Sequence, residues 1–228
     1  MTRTLIALAL ALAIAGCTAP DADPAADTEA AAFAEDADEL PAMEQAPFKM
    51  LGNVATAQGR PLPGARVCID GGYACASPDR DGGFVLPGLQ SGIGEVVRIE
   101  ATGYRPLLVP VDRERYDGIG LELNPVPEGI ALPEGTGAIQ FITSRVTAEG
   151  NVYDMLPEWT ITGEDGGIRK VTGSRPIVIN LEPGIYDATY QVEGLCAELS
   201  GWAGPNGHTL SFPIEAGSVT QVHQLCVG

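Results

Sequence analysis

This sequence offers seven cysteine and histidine side chains for thiol, metal or imidazole chemistry: Cys17, Cys68, Cys75, Cys196, Cys226, His208 and His223. A hydrolytic triad needs a histidine beside a nucleophile and an orienting acid. Here the histidine would have to be His208, in a Gly-Pro-Asn-Gly turn, or His223, in a β-rich run near the C-terminus. The sequence has no Gly-x-Ser-x-Gly elbow, no phosphate loop ending Gly-Lys-Ser/Thr, and no His-x-x-Glu or His-Glu-x-x-His. Both histidines therefore read as structural or surface residues. No catalytic residue, metal or cofactor is assigned. A hydrolase built on paired carboxylates stays open in so acidic a chain, although no spacing recommends one.

The thiols say more. Leu5 to Ala15 is an uncharged Leu/Ile/Ala run just after Arg3. It is too short for a membrane-spanning helix and right for the apolar core of a secretory signal. Ile14-Ala15-Gly16-Cys17 closes it and resembles a bacterial lipobox. That resemblance implies cleavage before Cys17, thioether attachment of a diacylglycerol and acylation of the new amino group, with palmitate as a typical chain. Two or more acyl chains hold a protein on a membrane stably. Thr18 rather than Asp after the cysteine implies, by likeness to Gram-negative lipoproteins, the outer membrane, on its periplasmic or its outer side.

Residues 1–16 are thus read as a signal peptide and 17–47 as a lipidated, disordered acidic tether. From Thr18 to Pro47 there are nine acidic residues and no Lys or Arg. One-signed charge with so little apolar variety does not support a packed core. As a coil the tether spans about 30 Å. The whole chain carries a formal net charge of −17, which excludes nucleic acid as a partner because phosphate binding needs clustered Lys and Arg. An exported chain with four further cysteines points to two disulfides. Three pairings are possible, and proximity within each half favours Cys68 with Cys75 and Cys196 with Cys226.

The elements that would position these groups are strands. After residue 48, short β-rich runs are broken by Gly, Pro, Asp and Asn, the pattern of a β-sandwich. Candidate strands are Lys49–Val54, Ala65–Ile69, Tyr73–Ser77, Gly83–Leu86, Val96–Ala101, Leu107–Val111 and Ile119–Leu123. A second series comprises Ala138–Thr147, Trp159–Thr162, Arg169–Thr172, Ile177–Leu181, Gly184–Val192, Cys196–Leu199, Thr209–Ile214 and Thr220–Val227. The two series echo each other. Val54 through Leu62-Pro63 to Ile69 is matched by Val146 through Leu156-Pro157 to Ile161, and Leu89 to Ile93 by Leu181 to Ile185, with strands closing near Gly103 and Gly194. The expected fold is all-β: two tandem Greek-key sandwiches over 48–125 and 137–228, joined by a Pro/Gly linker over 126–136.

The first half resembles the carboxypeptidase regulatory-like domain, a transthyretin-like (prealbumin-type) sandwich. The matching residues are Gly59-Arg-Pro-Leu-Pro63-Gly64-Ala65-Arg-Val67, Asp79-Arg-Asp81-Gly82-Gly83-Phe84-Val-Leu86, Leu89 and Gly103-Tyr104-Arg-Pro106. In that family the domain is a non-catalytic appendage. The second half lacks the Asp-x-Asp-Gly element and reads only as a related prealbumin- or immunoglobulin-like sandwich, with Trp159 and Trp202 unexplained.

Three smaller signals remain. Asp79-Arg-Asp81-Gly82 has a calcium-loop look but lacks the distal Glu, so a hairpin turn is expected. Related surface sandwiches form Lys–Asn isopeptide bonds beside a buried acid; Lys49, Glu100 and Asn124 are the candidates, with Lys49 further before Gly59 than those domains place it. Tyr73, Tyr104, Tyr116, Trp159 and Trp202 would serve either as a sugar-stacking platform or as core packing. The function expected is that of a non-enzymatic cell-envelope lipoprotein, held on the membrane by its N-terminal lipid, whose modules stabilise or recruit a protein or glycan. A carbohydrate-binding surface lipoprotein and a hydrolase with an unrecognised acidic site are the alternatives.

Overall fold

The computed structural model describes residues 47–90, 94–111, 120–148, 150–192, 195–198, 201–203 and 209–227. All belong to one compact unit, Glu44–Gly228. Cys17, the signal peptide and nearly all of the expected tether lie outside the described residues, as do Gly92, Ile93, Tyr116, Ile119, Gly194, Leu199 and His208.

The described residues form strands and no helix. They are β1 (Phe48–Val54), β2 (Arg66–Ile69), β3 (Cys75–Ala76), β4 (Gly83–Leu89), β5 (Glu95–Glu100), β6 (Leu107–Val111) and β7 (Leu121–Leu123). There follow β8 (Gly137–Thr147), β9 (Gly150–Val152), β10 (Glu158–Gly163), β11 (Ile168–Thr172), β12 (Ile177–Leu181), β13 (Gly184–Gln191), β14 (Leu195–Glu198), β15 (Trp202–Ala203), β16 (Leu210–Ile214) and β17 (Val219–Val227). Every candidate strand is present to within a few residues. The short β9 and β15 are additional.

The first seven strands make two layers, β4-β1-β7 and β6-β5-β2-β3. β1 is antiparallel to β4 and parallel to β7. The later strands repeat this plan. β8 is antiparallel to β12 and parallel to β17, while β16-β13-β10-β11 form the facing antiparallel layer. The echoing residues Val54 and Val146, Ile69 and Ile161, Leu89 and Leu181 stand at one constant spacing; Val54, Ile69, Leu89 and Leu181 end their strands, Val146 lies next to the end of β8, and Ile161 lies within β10.

A backbone join links the two copies. β17 also pairs in parallel with β6, at Val219 with Leu107 and Thr220 with Leu108. One sheet of order β12-β8-β17-β6-β5-β2-β3 therefore runs through both. Its middle strands are closed on both faces: β8 is buried from Gly137 to Ser144, and β17 from Val219 to Gln224. Successive side chains of a strand point to opposite faces. Accordingly Ala138 and Val219 enter the first core, whereas Ile139, Phe141 and Val222 enter the second.

The first core is aliphatic, built around Val67, Val97, Ile99, Leu107, Val109 and Leu123. The second is aromatic: Phe141 stacks on Trp159 with centroids 4.1 Å apart and meets Phe212 edge-on at 6.0 Å. The segment between the copies is fastened along the first. Val126 is buried, Ile130 and Leu132 pack on the first core, and Arg105 Nε donates to the Ile130 carbonyl at 2.9 Å.

Candidate functional site

Each disulfide is formed by cysteines that the strand register sets opposite each other. β2 and β3 pair Cys68 with Cys75, and β14 and β17 pair Cys196 with Cys226; both pairs are bonded, as expected from sequence. Their surroundings differ. Cys226 is fully buried in β17, whereas Cys75 is exposed in a two-residue strand at the sheet edge. The hairpin that the first bond closes carries Tyr73 at its tip, where the side chain is fully exposed at 105%.

The Asp79 turn is a hairpin turn stabilised by its own carboxylate. Asp79 Oδ1 accepts the amides of Asp81 and Gly83, each at 2.9 Å. Gly82 has φ +86°, and a Cβ there would lie 2.7 Å from the Val54 carbonyl oxygen. Such a position demands glycine. The same crowding ties the turn to β1, because Val54 N donates to Gly82 O at 2.8 Å. Among the described residues, no group of three His, Cys, Asp or Glu is placed to hold a metal ion.

Lys49 and Asn124 do not meet. Lys49 is exposed, opposite Pro87. Asn124 is buried, and its amide donates to the Ala55 carbonyl and to Glu122 Oε1, each at 3.2 Å. The isopeptide reading is corrected accordingly: strand register places the amine and the amide in different environments.

Asn124 belongs instead to a polar cluster where β7, β8 and β17 converge. Gln221 Nε2 donates to Gln140 Oε1 at 2.9 Å, and Gln221 Oε1 lies 2.9 Å from His223 Nε2. Glu122 accepts from Tyr153 at 2.8 Å, and the Arg175 guanidinium stacks 3.7 Å over the Tyr153 ring. Burial, reinforced by the positive charge of Arg175, drives the His223 pKa down to about 3. At neutral pH the imidazole is uncharged and enclosed, and its role is structural. Burial and the Glu122 hydrogen bond likewise push Tyr153 up. Sequence reasoning missed this cluster; its one signal was the run of Gln, Thr and His within otherwise apolar strands.

Among the described residues the aromatic candidates do not assemble into a platform; Tyr104 is half-buried, and Tyr116 lies outside the described residues. Trp159 is fully buried in the second core, stacked on Phe141 and tilted against Tyr190 at 5.2 Å. Trp202 covers Gly94, where a Cβ would lie 2.6 Å from the indole, and its Nε1 donates to the Glu95 carbonyl at 3.4 Å. Trp202 thus packs the second copy onto β5 of the first. Of the described aromatic residues, only Tyr73 stands fully outward. Elsewhere on the surface, Leu51 and Val85 form an exposed cross-strand pair beside an open depression of about 850 Å³ that also exposes Asn53 and Glu122.

Residues and topology together define an all-β protein whose described strands form three sheets around an aliphatic and an aromatic core. No protein-family model matches the chain, and no curated protein sequence matches it. Among solved structures, the Bacillus anthracis TIE protein aligns at 16% identity with a TM-score of 0.27. That match covers 80% of this chain and 35% of the other, so the chain spans about a third of that protein's length. GBS52, the minor pilin of Streptococcus agalactiae, aligns at 10% identity and TM-score 0.30, covering 81% of this chain and 97% of the pilin. The shaft pilin SpaA of Lactobacillus rhamnosus GG aligns at 10% identity and TM-score 0.26, covering 80% and 98%. The functional reading rests on this chain's own residues.

Proposed function

We propose that this chain is a non-enzymatic cell-envelope lipoprotein: lipid on Cys17 and an acidic tether carry a stiff pair of β-sandwiches that holds or recruits a protein or glycan partner. The observation that carries the reading is β17, a single strand whose opposite faces complete both cores and whose edges pair with β8 and β6. Such a strand transmits position between the copies, which suits a scaffold. Two disulfides support export, because such bonds persist in oxidising compartments. The lipobox-like Ile14-Ala15-Gly16-Cys17 supplies the anchor, and Thr18 favours the Gram-negative outer membrane.

Cells fed labelled palmitate test the anchor. Wild-type protein should carry label and fractionate with the outer membrane, and Cys17→Ala should lose both. An unlabelled wild-type protein would refute the anchor. The partner is tested separately with a photo-crosslinking residue in place of Tyr73. A discrete envelope protein adduct supports recruitment of a protein, a polysaccharide adduct supports the carbohydrate-binding alternative, and no adduct counts against both.

A further inference from the structure

We propose that the Cys68–Cys75 disulfide is a thiol-exchange site, at which an external thiolate bonds to Cys68 while Arg66 holds the departing thiolate of Cys75. Three observations converge on it. The bond lies at the edge of the long sheet, in a strand, β3, whose sheet partner is β2. Cys75 is exposed there and Cys68 partly so. A cavity of about 200 Å³ opens beside the bond, lined by Arg66, Cys68, Asp70, Cys75, Arg98 and Glu100. A water's share of liquid volume is about 30 Å³, so the cavity admits a thiol side chain.

The third observation is electrostatic. Arg66 Nη2 lies 3.3 Å from Cys75 Sγ. A cation beside a cysteine stabilises its thiolate, and a better-stabilised thiolate leaves faster in exchange. Arg98, the other cation of the cavity, is held by Asp70 and Glu215 at 2.6 Å each. The leaving-group role therefore falls to Arg66. Glu100, the register partner of Arg66 on β5, offsets its charge and keeps the cavity near neutrality.

The electron pair of the incoming sulfur forms a bond to Cys68 Sγ as the Sγ–Sγ bond breaks, and the bonding pair departs on Cys75 Sγ beside Arg66. A monothiol stops at this mixed disulfide. A dithiol continues: its second thiolate attacks its own bonded sulfur and releases the Cys68 thiolate. The protein gains two electrons, the dithiol becomes a disulfide, and the cysteine thiolates take protons from water. Opening the bond removes the staple from the hairpin that presents Tyr73. In Cys196–Cys226 one partner, Cys226, is fully buried in β17 and the other, Cys196, only partly exposed, so that bond is less open than one that includes the exposed Cys75.

The test uses the oxidised full-length protein, incubated with reduced glutathione under native conditions, acid-quenched, alkylated and mapped by peptide mass spectrometry. The expected result is glutathione on Cys68, alkylated Cys75 and an intact Cys196–Cys226 bond, the first disulfide exchanging at least about tenfold faster than the second. Arg66→Ala should slow that exchange about three- to tenfold at unchanged melting temperature, and Arg66→Lys should restore most of it. Glutathione on Cys75, equal reactivity of the two disulfides, or an Arg66→Ala variant as fast as wild type would overturn the proposal.

Discussion

Arg98 Nη2 lies 2.6 Å from Glu215 Oε2, and so joins a strand of the first sandwich to the turn that follows β16 of the second. The same guanidinium donates through Nε to Asp70, also at 2.6 Å. Those two carboxylates, Asp70 foremost, raise the Arg98 pKa against the opposing effect of burial. The pair is partly open to solvent, with Glu215 43% exposed, so its contribution is screened. Glu215→Gln should cost about 0.5–1 kcal/mol at low ionic strength and close to nothing in 1 M salt. Urea unfolding at both salt levels reads this. A salt-independent loss would mean that the contact acts through packing.

His223 links stability to pH. In the folded chain it binds a proton only below about 3, whereas its ordinary value is 6.5. Between those values the unfolded state binds more protons. Stability is therefore fully present above 6.5 and falls as pH drops toward 3, by up to about 1.4 kcal/mol per pH unit. His223→Gln removes this contribution. Its stability relative to wild type should rise by about 2–3 kcal/mol between pH 7 and pH 4.5, read from urea midpoints. Parallel pH curves for the two proteins would contradict the enclosed, neutral imidazole.

Trp159 and Tyr73 should respond oppositely to truncation. Trp159→Ala removes the stacking partner of Phe141 and should cost about 3–5 kcal/mol. Tyr73→Ala touches nothing inside the protein and should stay within about 0.5 kcal/mol of wild type. Melting curves of both variants decide it. Any loss of partner capture in Tyr73→Ala then reports binding and not folding.

The two disulfides should also separate in energy. The bond closing the 30-residue separation of Cys196 and Cys226 removes more unfolded-state entropy than the one closing the 7-residue separation of Cys68 and Cys75. The chain-entropy relation gives about 4 and about 2 kcal/mol. Paired Cys→Ser variants, each compared with wild type by urea unfolding, should fall in that order. The reverse order would place the main structural staple in the edge hairpin.

The strands were legible because Gly, Pro, Asp and Asn bracket the β-rich runs, and the Asp79 turn because its residue types fit few alternatives. The cysteine pairings followed from proximity within each half. The pairing of β6 with β17 was not legible, since a backbone join at a sheet edge imposes no side-chain pattern. The burial of Gln140, Gln221 and His223 was not legible, because single residues do not reveal that a strand is covered on both sides. β9 and β15 are too short to show periodicity. Trp202 gained its meaning only from Gly94, a residue far from it in sequence.

Differential scanning calorimetry of the full-length protein tests most directly whether β17 makes the two sandwiches one stiff body. A single transition with matching calorimetric and van't Hoff enthalpies is predicted, lowered as a whole by Ile99→Ala in the first core and equally by Ile161→Ala in the second. Two resolved transitions, each moved by only one of these substitutions, would contradict it.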